Sequence, residues 1–253
     1  MGNLCVIAEN RGVKYEMITE TQVADYINSL SGNLRSDLEV IEAYALENHV
    51  PIIRKEAQNL LCFLLRDRKP KRILEIGAAL GFSCRLMASV MPEDATITTI
   101  EKVERRLVHT RKNLATAPEH ERITLLEGDA GEVLKRLEGP YDFIFLDAAK
   151  AQYMNFLPEI MRLLPSGGML VTDNVLQDGS LAQSKYTIER RDRTIHMRMR
   201  EFLYAITHDE RLDTVILPVG DGMALSRKLP VEGGLDQASN NGDRNGQKIV
   251  KSN

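Results

Sequence analysis

Tryptophan is absent from the 253 residues, and all aromatics together make up only 5% of them. An aromatic stacking platform is therefore not written into the chain. Cysteine occurs three times, at Cys5, Cys62 and Cys84, scattered and without paired spacing. This excludes a disulfide framework and a zinc knuckle, and it fits a reducing compartment. No apolar run approaches the roughly 20 residues needed to span a bilayer, and no secretory signal is visible. Met1-Gly2-Asn3-Leu4-Cys5-Val6 lacks the Ser or Thr at position six that a myristoylation signal carries. The chain is expected to be cytoplasmic, with no membrane partner. A net charge of −3 gives no general attraction to nucleic acid, so any such binding needs a local basic patch.

What is present is ordered by period. Residues 1–16 show none and are expected to be a poorly ordered extension. Three helical patterns follow, Thr19–Leu30, Leu34–Asn48 and Ile52–Leu65, forming a cap over 17–66. From Arg72 onward, strand-like runs alternate with helical ones. The strands are Ile73–Gly77, Ile97–Glu101, Ile123–Asp129, Tyr141–Asp147 and Met169–Asn174. The helices between them are Gly81–Met91, Val103–Ala117, Gly131–Leu137 and Tyr153–Leu164. A long helix is predicted over Glu189–His208. A hairpin follows, Thr214–Val219 and Met223–Arg227 around Gly220-Asp221-Gly222. The repetition predicts an α/β fold: a doubly wound, mostly parallel sheet of Rossmann-like type with a C-terminal antiparallel hairpin. One domain is expected over 17–228. Residues 229–253, rich in Gly, Asn, Ser and Asp, are expected to be a disordered tail.

Two strands end in oxygen ligands. Asp147 and Asp173 lie 26 positions apart, the length of one β-α-β unit, so their strands should be parallel neighbours. Asp147, Asp173 and Asn174 could then share one ion. Three oxygen donors with places left for water and substrate suit Mg²⁺ better than zinc. Lys150, one turn past Asp147, faces the same crevice and could take a proton from a substrate hydroxyl. Its plainer role is a salt bridge.

The first strand leads into Gly77-Ala-Ala-Leu-Gly81-Phe-Ser83, a glycine turn and a helix start. It is not G-x-G-x-x-G, because Ala79 and Phe82 stand where glycines belong. A pyrophosphate ligand, and with it nicotinamide chemistry, is disfavoured. Glu101, ending the second strand, can accept hydrogen bonds from a ribose diol, or be a solvated strand end. Asp129 with Ala130 can meet an adenine edge, or Asp129 can simply cap a helix. Ribose and base without pyrophosphate suit S-adenosylmethionine.

These motifs together resemble the cation-dependent class I O-methyltransferases, the family of catechol and caffeoyl-CoA O-methyltransferases, over roughly residues 15–228. The resemblance rests on Leu74-Glu75-Ile76-Gly77 with Ser83, Glu101, Asp129-Ala130, Asp147-Ala-Ala-Lys150, Asp173-Asn174 and the 220–222 turn. It implies that Glu75, Gly77, Ala78 and Ser83 surround the methionine part of the cofactor, with Ile53 reaching it from the cap. It implies further that Glu101 holds ribose, that Asp129 and Ala130 hold adenine, and that Asp147 serves metal and cofactor together. A homodimer is expected. A cofactor-binding regulatory domain without turnover is the non-enzyme alternative.

Two acceptors present oxygens on adjacent carbons: a small catechol, and 5-hydroxyuridine in RNA. Residues 185–200 carry six cations (Lys185, Arg190, Arg191, Arg193, Arg198, Arg200) against Glu189 and Asp192. A local charge of this sign suits phosphate, and it is equally compatible with a solvated helix face. Within the family, Asp147-Ala-Ala-Lys150, the Asp173-Asn174 context and the arginine-rich helix running on to the 220–222 turn resemble the bacterial tRNA 5-hydroxyuridine methyltransferases. The expected substrate is therefore tRNA, with Arg190, Arg191, Arg193 and Arg198 as RNA contacts. O-methylation of a small catechol-like or caffeoyl-CoA-like hydroxyl is the alternative.

Overall fold

A computed structural model describes residues 21–230. Eight α-helices and seven strands are present among them: α1 (Thr21–Ser29), α2 (Ser36–Glu47), α3 (Lys55–Arg68), β1 (Arg72–Ile76), α4 (Phe82–Ala88), β2 (Thr96–Glu101), α5 (Glu104–Ala115), β3 (Ile123–Glu127), α6 (Ala130–Arg136), β4 (Phe143–Leu146), α7 (Tyr153–Leu163), β5 (Met169–Thr172), α8 (Arg193–His208), β6 (Leu212–Leu217) and β7 (Met223–Lys228). They build one sheet of order β3-β2-β1-β4-β5-β7-β6. The pairs from β3 to β5 are parallel, and β7 joins antiparallel to both β5 and β6.

The central strands are buried on both faces, and their alternation sorts side chains into two cores. Ile73, Phe143 and Phe145 join the layer beneath α2, α3 and α4. Leu74, Ile76, Ile144 and Leu146 join the layer beneath α6, α7 and α8. Helix α3 buries Ala57, Leu61, Leu64 and Leu65, spaced three and four apart, so one stripe of the cap lies on the sheet. Strand order reverses beside β1, which pairs with β2 on one side and β4 on the other. In open α/β sheets the crevice at that reversal, beyond the carboxyl ends of the strands, is where ligands bind.

The element types agree with expectation, and boundaries shift by a few residues. The main correction is at the basic segment. Glu189–Asp192 form a turn, and the helix begins only at Arg193. The start of the first predicted helix at Thr19, the 1–16 extension and the tail beyond residue 230 lie outside the described residues. No described helix is long and apolar enough to cross a membrane.

Candidate active site

The end of β1 is pressed against the end of β4. Gly77 has φ +109°, and a Cβ there would collide with the backbone carbonyl of Asp147. Glycine is thus required for strand packing as much as for any ligand. Beyond these strand ends lies a cavity of about 430 Å³, lined by Gly77, Glu101, Asp129, Ala130, Asp147, Lys150 and Asn174 among others. Strands β1, β2, β3 and β4 therefore all deliver their carboxyl ends to one space.

Asp147 and Asp173 stand side by side. Register pairs Leu146 with Thr172, and the Asp173 N–H donates to the Leu146 carbonyl at 3.0 Å. Asp173 is 2% exposed and accepts from the Asn174 backbone N–H at 2.7 Å. Loss of hydration pushes the Asp173 carboxyl well above the usual carboxylate range, and the negative charge of Asp147 pushes it further. Asp147 is raised by burial too, against the pull of Lys150 and Arg106. The Lys150 ammonium donates to Asn174 Oδ1 at 3.2 Å. Asn174 itself adopts φ +61°, a conformation asparagine tolerates better than most residues. The Tyr153 hydroxyl braces the pair from behind, accepting from the Ala148 N–H at 3.3 Å and donating to the Asp173 carbonyl at 3.4 Å.

Among the described residues, no three His, Cys, Asp or Glu side chains form a metal cluster. The trio offers two carboxylates and an amide instead. Two adjacent carboxylates both driven toward protonation mark a place short of positive charge, and hard oxygen donors fit a hard divalent cation.

The cofactor end divides. Glu101 is 5% exposed, and its carboxylate accepts from the N–H groups of Ala79 at 2.9 Å and of Lys102 and Val103, both at 2.8 Å. Asp129 both lines the cavity and caps α6 through the Gly131 N–H at 2.9 Å, while pairing with Lys102 at 3.0 Å. The two readings of Asp129 are thus compatible. Ile53, Glu75, Ala78 and Ser83 do not line the cavity. Glu75 is wholly buried, bonded to Ser83 Oγ at 2.6 Å and to Thr99 Oγ1, and burial raises its carboxyl to about 7. These two polar side chains brace the β1 turn from below.

Sequence reasoning missed several members. Phe156, Gln152, Lys102 and Arg106 line the cavity, and they come from helix starts whose spacing carries no chemical pattern. Outside the cavity lining, Arg54, Asp178 and Asp221 form a group, with Arg54 Nη2 2.6 Å from Asp178 and 2.7 Å from Asp221. Nothing in sequence links positions so far apart. The expected RNA contacts also separate. Arg193 donates to the carbonyls of Ile188 and Tyr186, and Arg198 to the carbonyl of Ala151. Arg190 and Arg191 lie in the exposed turn, with Arg191 beside Glu189 and Asp192.

Known proteins resemble this chain in sequence and fold. The caffeoyl-CoA O-methyltransferase of Stellaria longipes is 29% identical over 180 residues, 68% of this chain and 74% of its own. The flavonoid 3',5'-methyltransferase of Vitis vinifera is 28% identical over 226 residues, 85% of this chain and 93% of its own. A Staphylococcus aureus structure described as a caffeoyl-CoA O-methyltransferase superposes with TM-score 0.77 at 32% identity, covering 82% of this chain and 99% of that one. The SAH-bound methyltransferase PaMTH1 of Podospora anserina superposes with TM-score 0.75 at 26% identity, covering 91% and 100%. The family described as O-methyltransferase matches residues 28–229, a span that takes in the whole sheet and every residue lining the cavity. The chain belongs to the O-methyltransferase family.

Proposed function

We propose that the protein transfers the methyl group of S-adenosylmethionine to an oxygen that has a second oxygen on the adjacent carbon, with Mg²⁺ or another divalent cation required. The observation that carries this is the joining of Glu101, Asp129, Asp147, Lys150 and Asn174 around one cavity, with Asp173 directly behind. The SAH bound in PaMTH1 supports the cofactor. When bound, S-adenosylmethionine supplies an activated methyl group, and a cation on Asp147, Asp173 and Asn174 supplies positive charge that lowers the pKa of the acceptor hydroxyl. Glu101 accepts from the ribose hydroxyls, and Asp129 with Ala130 borders the base. Lys150 Nζ, which donates to Asn174 Oδ1, would receive the hydroxyl proton only after giving up one of its own, as the neutral amine. The cavity walls orient donor and acceptor in line, which supplies much of the acceleration.

For the acceptor we propose 5-hydroxyuridine in tRNA, at the wobble position, giving 5-methoxyuridine. Support comes from the turn that follows β5. It displays Arg190 and Arg191, and Lys185 stands 5.2 Å over the ring of Tyr186, which is 76% exposed. Cations beside an exposed aromatic suit a nucleic acid strand. The second reading, a small catechol-like hydroxyl, is favoured by the names of the plant relatives, a caffeoyl-CoA and a flavonoid methyltransferase. Nucleoside mass spectrometry of tRNA from a strain lacking the protein tests the choice. Loss of 5-methoxyuridine with build-up of 5-hydroxyuridine is expected. An unchanged nucleoside profile would transfer the assignment to small phenols.

A further inference from the structure

Three segments meet through one side chain. Arg54 stands just before α3, and its Nη2 lies 2.6 Å from Asp178 Oδ1 and 2.7 Å from Asp221 Oδ1. Asp178 belongs to the loop that leaves β5, and Asp221 to the turn between β6 and β7. These two are also stitched by backbone bonds. The Val175 N–H donates to the Gly222 carbonyl and the Leu176 N–H to the Asp221 carbonyl, both at 2.9 Å. Leu176 fills the space where a Gly222 side chain would stand.

The loop is costly in conformation. Asn174, Gln177 and Asp178 have φ of 61°, 48° and 52°, in the left-handed region that side chains disfavour. Such backbone persists only where its surroundings hold it. The same loop begins with Asp173 and Asn174, so whatever fixes it also fixes Asn174 Oδ1 against Lys150. On the other side, Arg54 directly follows Ile53, 3% exposed, and lies three positions after Pro51, which lines the cavity. Asp178 and Asp221 share one cation, at 2.6 and 2.7 Å from Arg54 Nη2. Two carboxylates drawn to one point repel once that cation is removed.

We propose that Arg54 is a positioning residue for methyl transfer, clasping the loop after β5 and the 220–222 turn to the helical cap so that Asn174 and Lys150 face the cavity correctly. The inference rests on the methyltransferase reading above. It differs from a purely structural ion pair in two ways. Removing the charge should weaken the cation site and turnover while cofactor affinity holds, because the loop that Arg54 grips through Asp178 leads back to Asn174 and Asp173. The defect should also be relieved by removing the repulsion it leaves behind.

The test uses the full chain and four proteins: wild type, Arg54→Gln, Arg54→Lys, and Arg54→Gln combined with Asp178→Asn. Asparagine is chosen because it tolerates the left-handed backbone at 178. Mn²⁺ affinity is read by electron paramagnetic resonance, SAH affinity by calorimetry, and kcat and KM by methyl transfer. Arg54→Gln is expected to bind SAH within about threefold of wild type, yet to bind Mn²⁺ and turn over at least about tenfold more weakly. Arg54→Lys should lie between. The double variant should recover at least about threefold over Arg54→Gln, the non-additivity expected of a shared contact. Wild-type Mn²⁺ affinity and turnover in Arg54→Gln, or a double variant worse than the single, overturns the clasp. If Arg54→Gln does not fold, Arg54→Lys decides, and unchanged Mn²⁺ affinity and turnover there overturn it. A wild type that neither binds SAH nor transfers methyl refutes the function itself, which is a separate outcome.

Discussion

Asp173 is held by burial, by the charge of Asp147 and by the Asn174 N–H, and the first two drive it toward protonation. A cation answers both. Asp173→Ala is therefore expected to lower methyl transfer by about 100-fold or more, the scale of losing an electrostatic stabiliser, while SAH affinity changes little. Chelator should abolish transfer and Mg²⁺ restore it, as read by incorporation of labelled methyl. Glu101 is the matching residue on the cofactor side. Glu101→Ala removes a charge-assisted acceptor, and calorimetry should show roughly 10- to 100-fold weaker S-adenosylmethionine binding. The carboxyls also predict a stability profile. Glu75, Asp147, Asp173 and Asp221 are all raised, so the folded protein holds protons that the unfolded chain has released. Stability from these groups falls as pH rises from about 4 to about 7. Asp37 runs the other way. Hydrogen bonding to Arg35 lowers it to about 2, and its contribution is lost only as pH falls below about 4. The melting temperature of the metal-free protein should drop between about pH 4 and pH 7. Mg²⁺ should recover part of that drop at the upper end, and Asp173→Asn should make the slope shallower.

At the scale of elements, the central strands are legible because burial on both faces writes them as short apolar runs, and the ends of β2, β3, β4 and β5 are legible because each runs into a carboxylate or amide. Glu101, Asp129, Asp147 and Asn174 are placed on one cavity in this way, with Asp173 buried next to Asn174. Glu75 and Ser83 carry the same polar chemistry, yet they turn inward to each other, which no spacing reveals. Arginines are harder still, since a long side chain can serve phosphate or a nearby carbonyl. Arg193 and Arg198 bond to carbonyls of Ile188, Tyr186 and Ala151, and removing them would disturb the loop itself. The sharper variant is therefore Arg190→Ala with Arg191→Ala. For a tRNA substrate, KM should rise several-fold with kcat nearly kept, and activity should fall steeply with salt. A catechol should be indifferent to both changes. Equal effects on tRNA and catechol would remove the RNA reading.

Over the whole molecule, the doubly wound core and its closing hairpin followed from alternation alone, while the meeting of Arg54, Asp178 and Asp221 needed three dimensions. The cap leaves Tyr26, Leu30, Val40, Leu46 and Phe63 each at least 65% exposed. Apolar exposure on this scale suits a second copy of the chain. Light scattering is expected to give a dimer, and Leu30→Glu with Phe63→Glu to give a monomer with its SAH site intact. A monomeric wild type would refute this. The central claim is that the cavity at the strand ends performs cation-assisted methyl transfer to oxygen. The most direct measurement supplies labelled S-adenosylmethionine with 5-hydroxyuridine-bearing tRNA and with a catechol, in Mg²⁺ and in chelator, to wild type and to Asp173→Ala. The account predicts labelled methoxy product from the wild type in Mg²⁺, with the tRNA preferred, and almost none in chelator or from Asp173→Ala. Full transfer in chelator, or no transfer to either acceptor, would contradict it.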